Sequence, residues 1–117
     1  MLKESEEQAL FVSYCQLKGI KVVAIPNGFY AGRMGNKFAY INSMKKQGLA
    51  KGFVDLLVLA KNSKYDLLFL EFKKEKGGRL SNEQEWWQDY LNNNGYYARV
   101  ACGCAEAVKI LEEYLQI

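Results

Sequence analysis

The chain has 117 residues, half of them apolar and a quarter charged, with a formal net charge of +3. That length predicts one domain, residues 1–117, large enough for a real core, and the composition excludes a disordered tail. There is no histidine, which excludes every mechanism that uses imidazole as base, nucleophile or ligand.

Other classes fall away with it. No stretch approaches the roughly 18 apolar residues of a membrane span, and the opening MLKESEEQ lacks the apolar run of a secretory signal. A cytoplasmic protein without membrane association is the expectation. Cys15, Cys102 and Cys104 are too few N/S ligands for zinc and an odd set for a disulfide framework, so they read as small packing groups. Acidic residues crowd the first turn and the last helix, while Lys45, Lys46, Lys51, Lys73, Lys74, Lys76 and Arg79 occupy the middle. A basic centre between acidic ends suits phosphate contact, although a solvated lysine-rich surface has the same composition.

In chain order, Ser5 and Gln8 read as a capping-box pair opening a helix from about Ser5 to Lys18, with Leu10, Phe11, Tyr14 and Leu17 as its apolar stripe and Gly19 as its stop. Ile20 to Ile25 reads as a strand ended by the turn Pro26-Asn27-Gly28. A glycine-rich loop carrying Arg33 leads to a short helix over Phe38 to Gln47. Two apolar strands follow, Asp55 to Ala60 and Leu67 to Lys73. Ser81-x-x-Gln84 is a second capping-box start, for a helix reaching about Asn94. A strand over Tyr96 to Ala101 and a helix over Cys104 to Leu115, with Val108, Leu111 and Leu115 inward, complete the chain. The order α-β-α-β-β-α-β-α predicts an α/β fold, a mixed sheet flanked by helices on both faces.

The chemistry gathers on the two middle strands. LLFLEFK is apolar on both faces until Glu71, so it reads as central and buried. Alternation puts Glu71 and Lys73 on one face. A carboxylate and an ammonium at the end of a buried strand are costly to desolvate without partners. Asp55 opens the other strand, and adjacency of the two would bring Asp55 and Glu71 together as a divalent-cation site. Mg²⁺ or Mn²⁺ held by Asp55, Glu71 and the Phe72 main-chain carbonyl suits phosphodiester hydrolysis, with Lys73 beside the attacking water or the phosphate. An exposed cross-strand charge pair is the structural alternative for Glu71 and Lys73.

The runs GFVDLLVL, LFLEFKKEKGGRLSNEQEWWQDYLNNNGYYARVACG and AVKILEEYL resemble the VRR-NUC domain of the PD-(D/E)XK nucleases, over nearly the whole chain. The resemblance implies a restriction-endonuclease-like fold. It maps the family's aspartate-bearing strand start onto Gly52 to Asp55, its E-x-K strand onto Glu71 to Lys73, its basic glycine-rich segment onto Lys74 to Arg79 and its helix start onto Ser81 to Gln84. The proline usual before the aspartate is replaced by Val54, at a position that shapes the strand and ligates nothing. The resemblance further implies a metal-centre glutamate from the first helix, for which Glu7 is preferred on its shared face with Leu10, Phe11 and Tyr14, and Glu4 is the rival. It also has Gln84 orient the site or touch the scissile phosphate, the alternative being that Gln84 is merely the capping-box partner of Ser81.

The implied function is a Mg²⁺- or Mn²⁺-dependent, structure-selective DNA endonuclease without small-molecule cofactor. Catalytic residues are Glu7, Asp55, Glu71, Lys73 and Gln84, and DNA contacts are Arg33, Lys37, Lys74, Lys76 and Arg79. Stand-alone relatives of this size resemble phage enzymes, which implies a phage-infected or prophage-bearing cell, a homodimer, and branched DNA with the Holliday junction as leading substrate. A flap or single-strand nuclease, or a nuclease subunit of a larger complex, is the enzymatic alternative, and a non-catalytic DNA- or protein-binding module the other. Phe29 and Tyr30 could stack on unpaired bases or tuck into the loop. Trp86, Trp87 and Tyr90 read as core or subunit interface in preference to a DNA wedge.

Overall fold

In the computed structural model, which describes residues 1–26 and 37–117, helices and strands follow the expected order: α1 (Glu4–Leu17), β1 (Lys21–Ala24), α2 (Lys37–Lys46), β2 (Leu56–Leu59), β3 (Leu68–Lys73), α3 (Asn82–Asn93), β4 (Tyr97–Cys102) and α4 (Cys104–Leu115). The strands form a mixed sheet in the order β1-β2-β3-β4, antiparallel across the first two pairings and parallel across the last. Asn27, Gly28, Phe29, Tyr30, Arg33 and the side chain of Lys37 lie outside the described residues.

β3 sits between β2 and β4, and its side chains Leu68, Leu70 and Phe72 point into the main core. Facing them, α1 supplies Phe11 and Cys15 and α4 supplies Ala107, Leu111 and Tyr114, all buried. Each such large side chain contributes about 1.5–3 kcal/mol on burial. The opposite face carries Phe69, Glu71 and Lys73 of β3, as strand alternation requires. There α3 packs Leu91 onto Ala98 of β4, with Val54 in the same cluster.

Three local expectations are corrected. The capping box of α1 is not Ser5 with Gln8; the helix starts one residue earlier, and the Glu6 carboxylate accepts the Lys3 N–H at 2.9 Å. Its inward row is Glu7, Phe11 and Cys15 at i, i+4 and i+8, whereas Leu10 and Leu17 are 50 % and 89 % exposed. In α4, Leu115 is exposed and Tyr114 takes its inward place, because the Tyr114 hydroxyl can donate to the Ala60 carbonyl at 2.7 Å while its ring packs in the core.

Candidate active site

β2 begins where β3 ends, and that junction builds the site. Leu56 pairs with Leu70, so Asp55 and Glu71 are the next residues along, on the face opposite the main core. Asp55 is fixed at both ends: its N–H donates to the Leu70 carbonyl at 3.1 Å, and its Oδ2 accepts the Phe72 N–H at 2.7 Å. Residues on one strand direct their N–H and C=O to the same neighbour in an antiparallel pair. The Phe72 carbonyl therefore also turns toward the β2 side, beside Asp55, where that strand supplies no further ladder donor.

Glu71 is 1 % exposed. Burial pushes its carboxyl up to about 9, the hydrogen bond and charge of Asp55 push the same way, Lys73 opposes, and Glu4 adds a further push. The Gln84 side-chain amide donates to Glu71 Oε2 at 3.4 Å, a long hydrogen bond. The same side chain accepts the Ser81 N–H at 2.9 Å while Ser81 Oγ accepts from the Gln84 N–H at 3.2 Å. Gln84 thus completes the capping box and also reaches the buried carboxylate.

Two glutamates of α1 separate into different places. Glu7 is buried, and its Oε1 accepts the Cys104 N–H at 3.0 Å, at the positive N-terminal end of α4. Gly103, at φ +93°, brings the chain close enough that an added Cβ would meet Glu7 Oε2 at 3.2 Å. Glu4, one turn earlier, shares the field of Lys73 and Asp55: burial raises its carboxyl, Lys73 lowers it and Asp55 raises it. Periodicity puts both on one helix face, so only the position of the helix end against the sheet separates them.

A packing constraint that apolar periodicity does not reveal lies at Gly52. This residue has φ +83°, and a Cβ there would come within 2.6 Å of Glu83 Cβ and 2.9 Å of the Gln84 N. The approach to β2 is thereby pressed onto the first turn of α3, and that closeness keeps Gln84 over Glu71. Trp87 reinforces the seam, its indole N–H donating to the Lys51 carbonyl at 3.1 Å.

Lys74, Lys76 and Arg79 are exposed on the turn between β3 and α3. Gly77, at φ +79°, lets that turn fold back toward Lys74. They lie within a few residues of Glu71 and Lys73, on one rim of the site.

Among the described residues, no three histidine, cysteine or acidic side chains converge into a ready-made metal cage. Mg²⁺ needs no such cage, because it keeps several waters and uses one or two carboxylates. The donor set fits that pattern: two facing carboxylates, one of them buried and raised chiefly by that burial, beside the Phe72 carbonyl.

No helix of the described residues is long and apolar enough to cross a membrane. No curated protein matches the sequence significantly. Solved structures share the fold, two of them VRR_NUC domain proteins. A VRR_NUC domain protein superposes with a TM-score of 0.81 at 20% identity, covering 99% of this chain and 90% of that one. A second, a VRR_NUC domain, gives 0.67 at 18% identity over 97% of this chain and 99% of its own. The family model for the VRR-NUC domain matches residues 4–105, a span that contains Glu4, Asp55, Glu71, Lys73 and Gln84 together. The chain therefore belongs to the VRR-NUC domain family, a membership that suggests a nuclease.

Proposed function

We propose that the protein is a Mg²⁺- or Mn²⁺-dependent, structure-selective DNA endonuclease that acts as a homodimer, with the four-way junction as leading substrate. The observation that carries this reading is the pairing of Asp55 with buried Glu71 beside Lys73, under Gln84. Asp55, Glu71 and the Phe72 carbonyl would hold the cation. When bound there, it supplies Lewis acidity toward the scissile phosphate and acidifies a water.

The chain's own groups do the rest. Asp55 is oriented by the Phe72 N–H and hydrogen-bonds the Glu71 carboxyl, which keeps the two groups together. Gln84 fixes the rotamer of Glu71. Lys73, on the face of Glu71, holds the attacking water or screens a non-bridging phosphate oxygen. Glu4 is the α1 carboxylate we place at the centre, because it shares the field of Asp55 and Lys73 while Glu7 is engaged at α4. Lys74, Lys76 and Arg79 contact the phosphate backbone, which positions the duplex without reading bases. Branched DNA is favoured because contacts to backbone and shape distinguish DNA structures without base readout.

The test is cleavage of a labelled four-way junction and its matching linear duplex with Mg²⁺ or Mn²⁺. Paired symmetric cuts in the junction are expected, and Glu71→Ala and Lys73→Ala should each reduce the rate by roughly a hundredfold or more. Tight, metal-independent junction binding without any cleavage would replace this reading with that of a binding module. Equal cleavage of every DNA form would remove the structure selectivity.

A further inference from the structure

Glu7 is a buried charge that the proposed chemistry leaves idle. It is 6 % exposed, at the head of the inward row it shares with Phe11 and Cys15. Burying a carboxylate is costly unless hydrogen bonds compensate it, and the partner it finds lies where β4 turns into α4. That helix starts at a glycine: Gly103 is its N-cap and brings no side-chain acceptor for the free N–H groups of the first turn. α1 supplies the acceptor from across the core. Glu7 Oε1 takes the Cys104 N–H at 3.0 Å, and Glu7 Oε2 lies 3.2 Å from where a Gly103 Cβ would stand. The carboxylate therefore covers the peptide that joins Gly103 to Cys104.

Gly103 is also tied to the active site. Lys73 and Cys102 form the last pair of the β3–β4 ladder. The Gly103 N–H then donates to the Lys73 carbonyl at 3.0 Å, while the Gly103 carbonyl accepts the Ala107 N–H at 3.1 Å as α4 begins. Beyond Lys73 the chain leaves the sheet for the turn that carries Lys74, Lys76 and Arg79. The end of β3, and with it the root of the Lys73 side chain, is thus anchored on a glycine at φ +93°, a residue with no side chain of its own to fix it.

Glu7 does this from outside the carboxylate pair. The charges that act on Glu71 are those of Asp55, Lys73 and Glu4, whereas the thiol of Cys104 is raised by burial and then by Glu7. Glu106 clamps the residue before Gly103 from the other side, its Oε1 accepting the Cys102 N–H at 3.0 Å. Two carboxylates from different helices therefore fix the short turn on which the Lys73 carbonyl depends.

We propose that Glu7 is a positioning residue for Lys73: by holding the Gly103–Cys104 peptide it fixes the hydrogen bond that anchors the Lys73 carbonyl, and so keeps the ammonium beside Glu71. A displacement of about 1 Å at a reacting group can cost on the order of a hundredfold in rate, so a loosened anchor reaches catalysis while the fold survives. The kinetic part of this inference rests on the nuclease reading; the clamp itself does not.

The test pairs junction-cleavage kinetics in Mn²⁺ with amide hydrogen exchange of the full chain free of metal and DNA. Glu7→Ala should lower kcat about tenfold at unchanged KM for DNA, and Glu7→Gln, which keeps an acceptor for the Cys104 N–H, should recover most of that loss. In a Lys73→Ala background Glu7→Ala should change the rate by less than about twofold, because a residue that acts through Lys73 has nothing left to position. Exchange at the Gly103 and Cys104 amides should quicken in Glu7→Ala about tenfold beyond what global destabilisation accounts for. Where the alanine variant does not fold, Glu7→Asp retains the charge, shortens the reach and should change rate and exchange in the same directions. Glu7→Gln as slow as Glu7→Ala, with a raised Mn²⁺ requirement, would make Glu7 a metal ligand and overturn the proposal. So would a full tenfold loss on top of Lys73→Ala, or unchanged exchange at Gly103. A wild type that cut no DNA would sink the nuclease reading by itself, while the exchange measurement would still uphold or overturn the clamp.

Discussion

Glu71 shows how one residue links stability to chemistry. Its carboxyl is raised from 4.5 to about 9 by burial and by Asp55. For a group raised on folding, the stabilisation is fully present below the unfolded value and is lost as pH climbs through the folded one. In EDTA, the melting temperature should therefore fall between pH 4.5 and about 9, and Glu71→Gln should flatten that slope. Added Mn²⁺ at neutral pH should raise the melting temperature of the wild type more than that of the variant, since a ligand of the folded state stabilises it. The α1 glutamates give a second residue-scale contrast. Glu7→Ala removes an acceptor from the first turn of α4 and should cost about 1–2 kcal/mol in chemical denaturation. Glu4→Ala should leave stability nearly unchanged and slow cleavage. The reverse pattern would return Glu7 to the metal centre. Helical spacing alone could not make that choice, because it puts both residues on one face.

At the scale of elements, the decisive contact is between the approach to β2 and the start of α3. Gly52 and Gln84 are far apart in sequence, yet a methyl group at Gly52 would collide with the backbone that carries Gln84. Gly52→Ala should destabilise the protein by roughly 1–3 kcal/mol, from the left-handed conformation and the clash together. It should also slow cleavage beyond what the loss of stability explains, by lifting Gln84 from Glu71. Denaturant melts and single-turnover rates measured side by side check both. Most elements were legible because their signals are local: Ser81 with Gln84 as a cap, the apolar run of β3, and Gly95 after α3. The cap of α1 was misread because Ser5 and Glu6 are both good N-terminal residues, and the choice depends on the single hydrogen bond from Lys3 to Glu6. The inward row of α4 depended on a carbonyl of Ala60, distant in sequence, that rewards Tyr114.

For the whole molecule, charge is unevenly spread. Lys74, Lys76 and Arg79 follow β3 beside the Asp55–Glu71 pair, while Glu85 and Asp89 are exposed on α3 and Glu83 pairs with Lys51. Neutralising Lys74 and Lys76 to Gln should weaken binding across DNA sequences alike. It should also lower the salt slope of log K by about 1 for each phosphate that a lysine no longer neutralises. An unchanged slope would mean that the phosphate backbone runs elsewhere.

The sequence by itself determined which strand is central and which of its residues share a face. Without histidine, any catalysis by the chain is confined to carboxylates, lysine and hard cations, and a run apolar on both faces must be a central strand, so Glu71 and Lys73 had to share a face. Family resemblance carried the fold. What only the tertiary structure decided were the relations across distance: Asp55 bonded to the N–H of Phe72, Glu4 near the carboxylate pair while Glu7 caps α4, and Gly52 pressed against α3. The reason is physical. Periodicity specifies which way a side chain points, but its partner depends on where two elements end against each other, and that is set by the packing of the entire core.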